Sequence, residues 1–232
     1  MSSGTNADYG RAFAALRHGA GTAWPAYTDH SFVRGLGDGT LPRAAFLHYL
    51  IQDYVFLVHF ARAWALGVVK AETLDEMRTC AGTVNALVNH EMGLHVQVCA
   101  AEGISEDQLF HATEEVENLA YTRYVMDAGL SGDFIELMAA MAPCVMGYGE
   151  IGLALAGSDG PYKGWIDTYA VTEYQQVCRD VGAMLDAACI RRIGAGFEDT
   201  PRWSAVQARF TRATALEVGF WDMGMRGGAT SQ

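Results

Sequence analysis

Phe46-Leu-His-Tyr49-Leu-Ile-Gln-Asp53-Tyr-Val-Phe56-Leu-Val-His-Phe60 is the stretch that decides the fold class. Its large aromatic residues return every three to four positions, the spacing of one helical face, with Asp53 in the middle of the stripe. Upstream, Leu41-Pro42 sets a proline at a first helical position, and the pattern runs on to residue 70. Gly35-Leu-Gly-Asp-Gly-Thr-Leu-Pro42 before it reads as a loop. Working outward, a short helix is expected at 9–18 and a longer one at 72–101, ended by Gly103. Ser105-Glu-Asp-Gln108 has the form of a capping box opening a helix through about 128. Ser131-Gly-Asp opens 134–156, the loop Gly157-Ser-Asp-Gly-Pro161 precedes 162–189, and Thr200-Pro201 opens a last helix to about 225. These breaks fall at helix stop signals and not at strand turns. The fold class is therefore all-α, with seven or eight helices and no strand.

The 232 residues are about 1.5 times the ~150-residue yardstick for one domain. Several of the expected helices exceed about 20 residues with broad apolar faces, so one helical bundle over residues 1–232 is favoured, with frayed ends at 1–7 and 227–232. Hydrophobic residues make up 50% and charged residues 19% of the chain, which excludes intrinsic disorder. Sixteen Lys and Arg against 27 Asp and Glu leave a net charge of −11, a field that repels nucleic-acid phosphates and anionic membranes. No direct nucleic-acid or membrane partner is expected.

The five cysteines, Cys80, Cys99, Cys144, Cys178 and Cys189, are odd in number and form no CxxC pair. They suggest neither a disulfide framework nor a zinc site and fit a reducing cytoplasm. The first residues lack the pattern of an export signal. The most apolar stretch, 134–156, carries Glu136, Pro143 and Glu150, which suits a core helix better than a membrane span.

Five polar features stand out against the apolar pattern. Asp53 must find a structural donor or a ligand, because an unpaired buried carboxylate costs several kcal/mol. Glu217 is the one charge on the face Phe210, Ala213, Glu217, Phe220 and Gly224, and is open to the same two readings, a salt bridge to Arg62, Arg123 or Arg212 among them. Cys144 follows Pro143, which deletes a mid-helix hydrogen bond and bends the axis, so the thiol stands where a pocket can open. The other four cysteines read as small buried hydrophobes. Tyr148 lies one turn beyond Cys144, Tyr169 one turn beyond Trp165, and Tyr121 and Tyr124 share a face; such rings pack as core or line a pocket for a flat ligand. Glu91 and His95, four residues apart, lack the second copy that a carboxylate-bridged di-metal bundle needs, and a structural Glu–His hydrogen bond is the better reading.

These residues, in this order, resemble the TenA/thiaminase II family from Phe32 to Met223. The opening loop Phe32-Val-Arg-Gly-Leu-Gly-Asp-Gly-Thr-Leu-Pro42, Tyr49-Leu-Ile-Gln-Asp53, Pro143-Cys-Val-Met-Gly-Tyr148, Tyr162-Lys-Gly-Trp-Ile-Asp-Thr-Tyr169 and Glu217-Val-Gly-Phe-Trp221 carry the resemblance. It implies a single-domain haem-oxygenase-like helical bundle without haem, assembled as a homotetramer. It also implies a thiamin-salvage hydrolase that replaces the group on the exocyclic methylene of an aminopyrimidine by hydroxyl, giving hydroxymethylpyrimidine. The substrate is thiamin or the aminomethylpyrimidine, and neither a metal nor an organic cofactor is required.

By the same resemblance Cys144 is the nucleophile, Glu217 the acid at the ring nitrogen, and Asp53 the holder of the exocyclic amine. Tyr121, Tyr148, Tyr169 and Phe220 stack on the ring or donate to it. The chemistry explains the choice of residues: an aminopyrimidine accepts a thiolate only when its ring nitrogen is protonated or strongly hydrogen-bonded. Phe56 departs from the pattern, standing where many members carry a tyrosine, and the missing hydroxyl bears on substrate choice. The rivals are a non-catalytic regulator or ligand-binding protein on the same fold, and a cofactorless oxidase resembling the pyrroloquinoline quinone synthase, which would need more basic and histidine side chains in its core.

Overall fold

The structure is a computed structural model that describes residues 7–227, the side chains of His90 and Leu94 excepted. Among the described residues there is no strand, and the all-α class holds. The helices are α1 (Arg11–Gly19), α2 (Ala23–Thr28), α3 (Ser31–Asp38), α4 (Arg43–Lys70), α5 (Leu74–Ala86), α6 (Met92–Ala101) and α7 (Glu106–Phe110). They continue with α8 (Val116–Ser131), α9 (Phe134–Ala142), α10 (Tyr148–Leu155), α11 (Lys163–Ala170), α12 (Thr172–Arg192) and α13 (Pro201–Gly227). Two five-residue π turns interrupt otherwise continuous helix, Leu87–Glu91 between α5 and α6 and Pro143–Gly147 between α9 and α10. The chain ends expected to fray lie, apart from residues 7 and 227, outside the described residues.

The chain divides into two compact units. The first comprises Met1–Leu41 and Met138–Val218, the second Pro42–Leu137 and Gly219–Gln232. In the first, Trp24 stacks on Phe210 at 5.5 Å and Phe13 meets both rings edge-on, at 5.5 and 6.1 Å. Its α1 begins at Gly10, which has no side chain to cap it. Asp186 of α12 supplies the missing acceptor, taking the N–H groups of Arg11 and Ala12 at 2.9 and 2.6 Å. In the second unit α4 is the central helix, packed by α5, α6 and α8. The whole stripe Phe46, Tyr49, Asp53, Phe56 and Phe60 is at most 4% exposed.

Helices Arg43–Lys70 and Phe134–Leu155 are long and apolar enough to cross a membrane, yet 67% and 78% of their most apolar stretches are buried within the protein. They are core helices, with Asp133 capping the second through the N–H groups of Ile135 and Glu136 at 3.0 and 3.1 Å.

The structure corrects the sequence reading at four places, and the thirteen α segments among the described residues exceed the seven or eight expected. The stretch from Gly35 is helical as far as Asp38; α3 ends where Gly39 takes a left-handed φ of 77°, and only the four residues to Pro42 form loop. Pro42 itself is extended, with ψ of 135°, and caps α4 from outside instead of opening it from within. The helix expected from Ser105 stops at Phe110, although the capping box forms as read. Gln52 of α4 holds the break after it open, donating to the Thr113 carbonyl at 2.9 Å and accepting from the Glu115 N–H at 3.1 Å. Finally, 162–189 is two helices, divided at Val171, whose extended ψ of 152° turns the chain.

Candidate active site

The predicted site residues fall into two groups, one in each unit. In the first unit Cys144 lies within the π turn Pro143–Gly147. A π turn arises readily where a proline has removed an N–H from the ladder, since the i→i+5 pattern re-registers the bonds that remain. The consequence for the thiol is specific. From Leu137 to Gly149 every residue is buried except Cys144, so the turn brings a single side chain out of an otherwise closed core helix. Tyr148 and Tyr169, 5% and 1% exposed, meet with ring centroids 5.0 Å apart, and Trp165 joins both at 5.8 and 4.7 Å. Glu217, on α13, is 2% exposed, among Phe210 and Ala213 of the same face, both fully buried.

In the second unit Asp53, 4% exposed, receives two hydrogen bonds on one carboxylate oxygen. Tyr49 donates its hydroxyl to Oδ2 at 2.9 Å, and His95 of α6 approaches the same oxygen through Nε2 at 2.6 Å. The other ring nitrogen of His95 faces the Glu91 carbonyl at 3.2 Å. Acceptors stand at both ring nitrogens, an arrangement that favours the doubly protonated ring. Burial alone would pull the His95 pKa down; the hydrogen bond and charge of Asp53, with the charge of Glu91, raise it instead. Neither of these two donors uses Oδ1.

In this unit three of the five aromatic residues predicted for the site, Phe56, Tyr121 and Phe220, come together. Phe56 lies 5.0 Å from Tyr121 and 5.5 Å from Phe220, and Tyr49 meets Phe220 edge-on at 6.1 Å. Phe56 is 3% exposed and stacks on Phe60 at 5.3 Å, so it belongs to a packed aromatic cluster in which a ring without a hydroxyl leaves no polar atom unmatched.

Sequence reasoning took Asp53 as needing a donor or a ligand, and the structure supplies two donors, both on Oδ2. It read Glu91 and His95 as a side-chain pair; His95 instead uses the Glu91 backbone carbonyl and gives its other nitrogen to Asp53. The missing signal was tertiary, although the i, i+4 spacing of Tyr49 and Asp53 was legible. Cys178, Tyr27, Tyr174 and Gln175 were also missed; all four hydrogen-bond to backbone around Cys144. Burial pushes the thiols of Cys80 and Cys178 up to about 12, which keeps them neutral. Arg62 and Arg123, two of the candidate partners of Glu217, engage His59 and Glu114. A cleft of about 420 Å³ lined by Ala14, Arg17, His18, Gly21, Trp24 and Pro25 contains none of the predicted residues. No group of three or more His, Cys, Asp or Glu suited to a metal ion occurs among the described residues.

Comparison with known proteins identifies the fold and the family. A crystal structure of a protein described as a TenA family transcription regulator, from Silicibacter sp. TM1040, is 59% identical, with a TM-score of 0.91 over 94% of this chain and 97% of that one. The aminopyrimidine aminohydrolase of Halalkalibacterium halodurans is 34% identical over 215 residues, 90% of this chain and 93% of the relative. A Shewanella denitrificans domain with a heme oxygenase-like fold, 14% identical, superposes with a TM-score of 0.71 over 92% of each chain and bears on the fold alone. The haem-oxygenase-like fold expected from sequence is thus the fold of this chain. Residues 20–227 match the model of the TENA/THI-4/PQQC family, and the chain belongs to that family.

Proposed function

We propose that the chain is an aminopyrimidine aminohydrolase of the thiaminase II type, exchanging the substituent on the exocyclic methylene of an aminopyrimidine for the hydroxyl of water. The observation that carries this reading is Cys144: a half-buried thiol, the one residue from Leu137 to Gly149 that is not buried, on a π turn that begins at a proline. A purely structural helix has no use for that combination, because an apolar residue and a regular α ladder would be more stable.

In this reading Glu217 protonates the ring nitrogen as the Cys144 thiolate adds to the ring. Electron density moves toward the methylene, and the substituent leaves as ammonia from the aminomethylpyrimidine or as thiazole from thiamin. Water then adds at the methylene, the proton returns, and the thiolate is expelled, so that substrate and water give hydroxymethylpyrimidine and the leaving group. Asp53 uses Oδ1 toward the exocyclic amine, while His95 and Tyr49 hold the carboxylate through Oδ2. Tyr121, Tyr148, Tyr169, Phe56 and Phe220 supply flat apolar surface and hydroxyls for the ring. The reading extends to a single functional domain and a homotetramer in the cytoplasm, which sedimentation and cell fractionation test.

Parallel hydrolysis assays on thiamin and on 4-amino-5-aminomethyl-2-methylpyrimidine check the proposal. Cys144→Ser and Glu217→Gln are each expected to lower kcat by at least about 10³-fold with helical content unchanged. Near-normal turnover in either variant removes that residue from the mechanism. A folded wild type inert toward both compounds leaves the regulator reading, for which the Silicibacter relative's description is the support.

A further inference from the structure

The π turn that carries Cys144 is held from outside. Tyr27 of α2 donates its hydroxyl to the Pro143 carbonyl at 3.2 Å, and Tyr174 of α12 donates to the Val145 carbonyl, also at 3.2 Å. Cys178, one turn beyond Tyr174, adds its thiol to the Val145 carbonyl at 3.4 Å, and Gln175 donates to the Gly149 carbonyl at 3.0 Å. The two carbonyls that flank Cys144 along the chain are each therefore tied to a tyrosine hydroxyl. Two glycines allow the approach. A methyl group at Gly147 would overlap the Tyr27 ring, and one at Gly149 would stand 2.7 Å from both the Cys178 sulfur and the Tyr9 hydroxyl.

A π turn has poorer hydrogen-bond geometry than an α-helix and persists where its surroundings over-determine it. Here those surroundings are side chains from helices distant in sequence, converging on the residues before and after one thiol. Burial keeps Cys178 a neutral donor. We propose that Tyr27 and Tyr174 are positioning residues for Cys144: by fixing the peptide groups on either side of it, they set the direction and exposure of the thiol. The assignment of a catalytic role to this clamp rests on Cys144 being the nucleophile; the clamp itself rests on the hydrogen bonds.

The test is Tyr27→Phe, Tyr174→Phe and the double variant, with Val181→Ala as comparator. Val181 is 3% exposed on the same helix as Tyr174 and touches neither carbonyl through a hydrogen bond, so its truncation reports lost packing alone. Two readouts are taken on each folded protein: kcat and KM for the aminopyrimidine, and the rate against pH at which iodoacetamide alkylates Cys144, followed on its own peptide by mass spectrometry. Each tyrosine variant is expected to lose about tenfold in kcat with KM within about twofold, since a small misplacement of a reacting atom costs rate and not binding. Each is also expected to show an altered alkylation profile, with the double variant showing the larger change and Val181→Ala the wild-type profile. Unchanged kcat and alkylation in both single variants overturn the proposal, as does an equal change in Val181→Ala. If Cys144→Ser keeps full activity, the nucleophile reading fails, and the alkylation profiles still decide whether the tyrosines fix the thiol.

Discussion

Leu87–Glu91 and Pro143–Gly147 are π turns of equal length, but the first leaves Val88 52% exposed while the second buries Val145 and Met146 to 5% and 0%. The first contains no proline and is braced by short-range bonds, Asn89 to the Asn85 side chain at 2.9 Å and the Glu91 carbonyl to His95 at 3.2 Å. The second begins at a proline and is braced by hydroxyl, thiol and amide groups from α2 and α12. Their products differ accordingly. The buried turn presents a group that lies inside it, Cys144. The exposed one shifts the register of the helix that follows and so delivers His95, four residues past its end, to Asp53. A π turn can thus act on its own side chain or on its downstream neighbour, and what holds it decides how rigidly.

Removing the group that the exposed turn delivers is the largest perturbation. His95→Ala leaves Asp53 buried with Tyr49 as its remaining donor, and breaking a buried pair from one side costs about 3–5 kcal/mol, to be read from urea denaturation. The same pair sets a pH dependence. The folded pKa of His95 is raised, although burial opposes the shift, because Asp53 and Glu91 favour the charged ring. Its contribution is complete below the unfolded histidine value of about 6.5 and is lost as pH rises through the higher folded value. Stability should therefore fall on the alkaline side in the wild type, and His95→Ala should lack that component; parallel curves would mean that the ring is neutral.

What the sequence displays of these two turns follows from their bracing. Pro143 marks its turn, because a mid-helix proline must break the ladder, and the reading of Cys144 as a thiol at a bend needed nothing more. Nothing in Leu-Val-Asn-His-Glu signals the other turn, and 72–101 reads as one helix. The all-α class and the aromatic stripe of α4 were legible from period alone, as was the Ser105 capping box, since each is a local pattern. The break after Phe110, the Asp53–His95 pair and the tyrosines around Cys144 were not, because each depends on a side chain from a helix at least 29 residues away in sequence, the separation of Tyr174 from Val145. Local propensity carries no record of such a partner.

The buried turn should resist added volume more than the exposed one. Gly147 has helical backbone angles, φ −67° and ψ −44°, so alanine is unstrained there and any cost is steric. The methyl would meet the ring of Tyr27, which is 0% exposed and has nowhere to retreat. Gly147→Ala is expected to cost about 1–3 kcal/mol and to disturb the Tyr27 bond to Pro143, lowering turnover along with stability. A neutral result would show that Tyr27 is free to move and that the turn is less tightly clamped than its hydrogen bonds indicate.

The smallest effect belongs to the surface of the other turn. Val88→Ala removes two methyl groups from a residue that is already half in water, so little apolar area is returned to solvent and no polar group loses a partner. A change within about 0.5 kcal/mol is expected, with activity unaltered, because the bonds of Asn89 and of the Glu91 carbonyl that brace this turn are untouched. A loss above about 1 kcal/mol would exceed what surface substitutions cost. It would mean that the packing of Val88 holds Leu87–Glu91, and the contrast between a turn fixed by side chains from distant helices and a turn fixed by short-range hydrogen bonds would no longer stand.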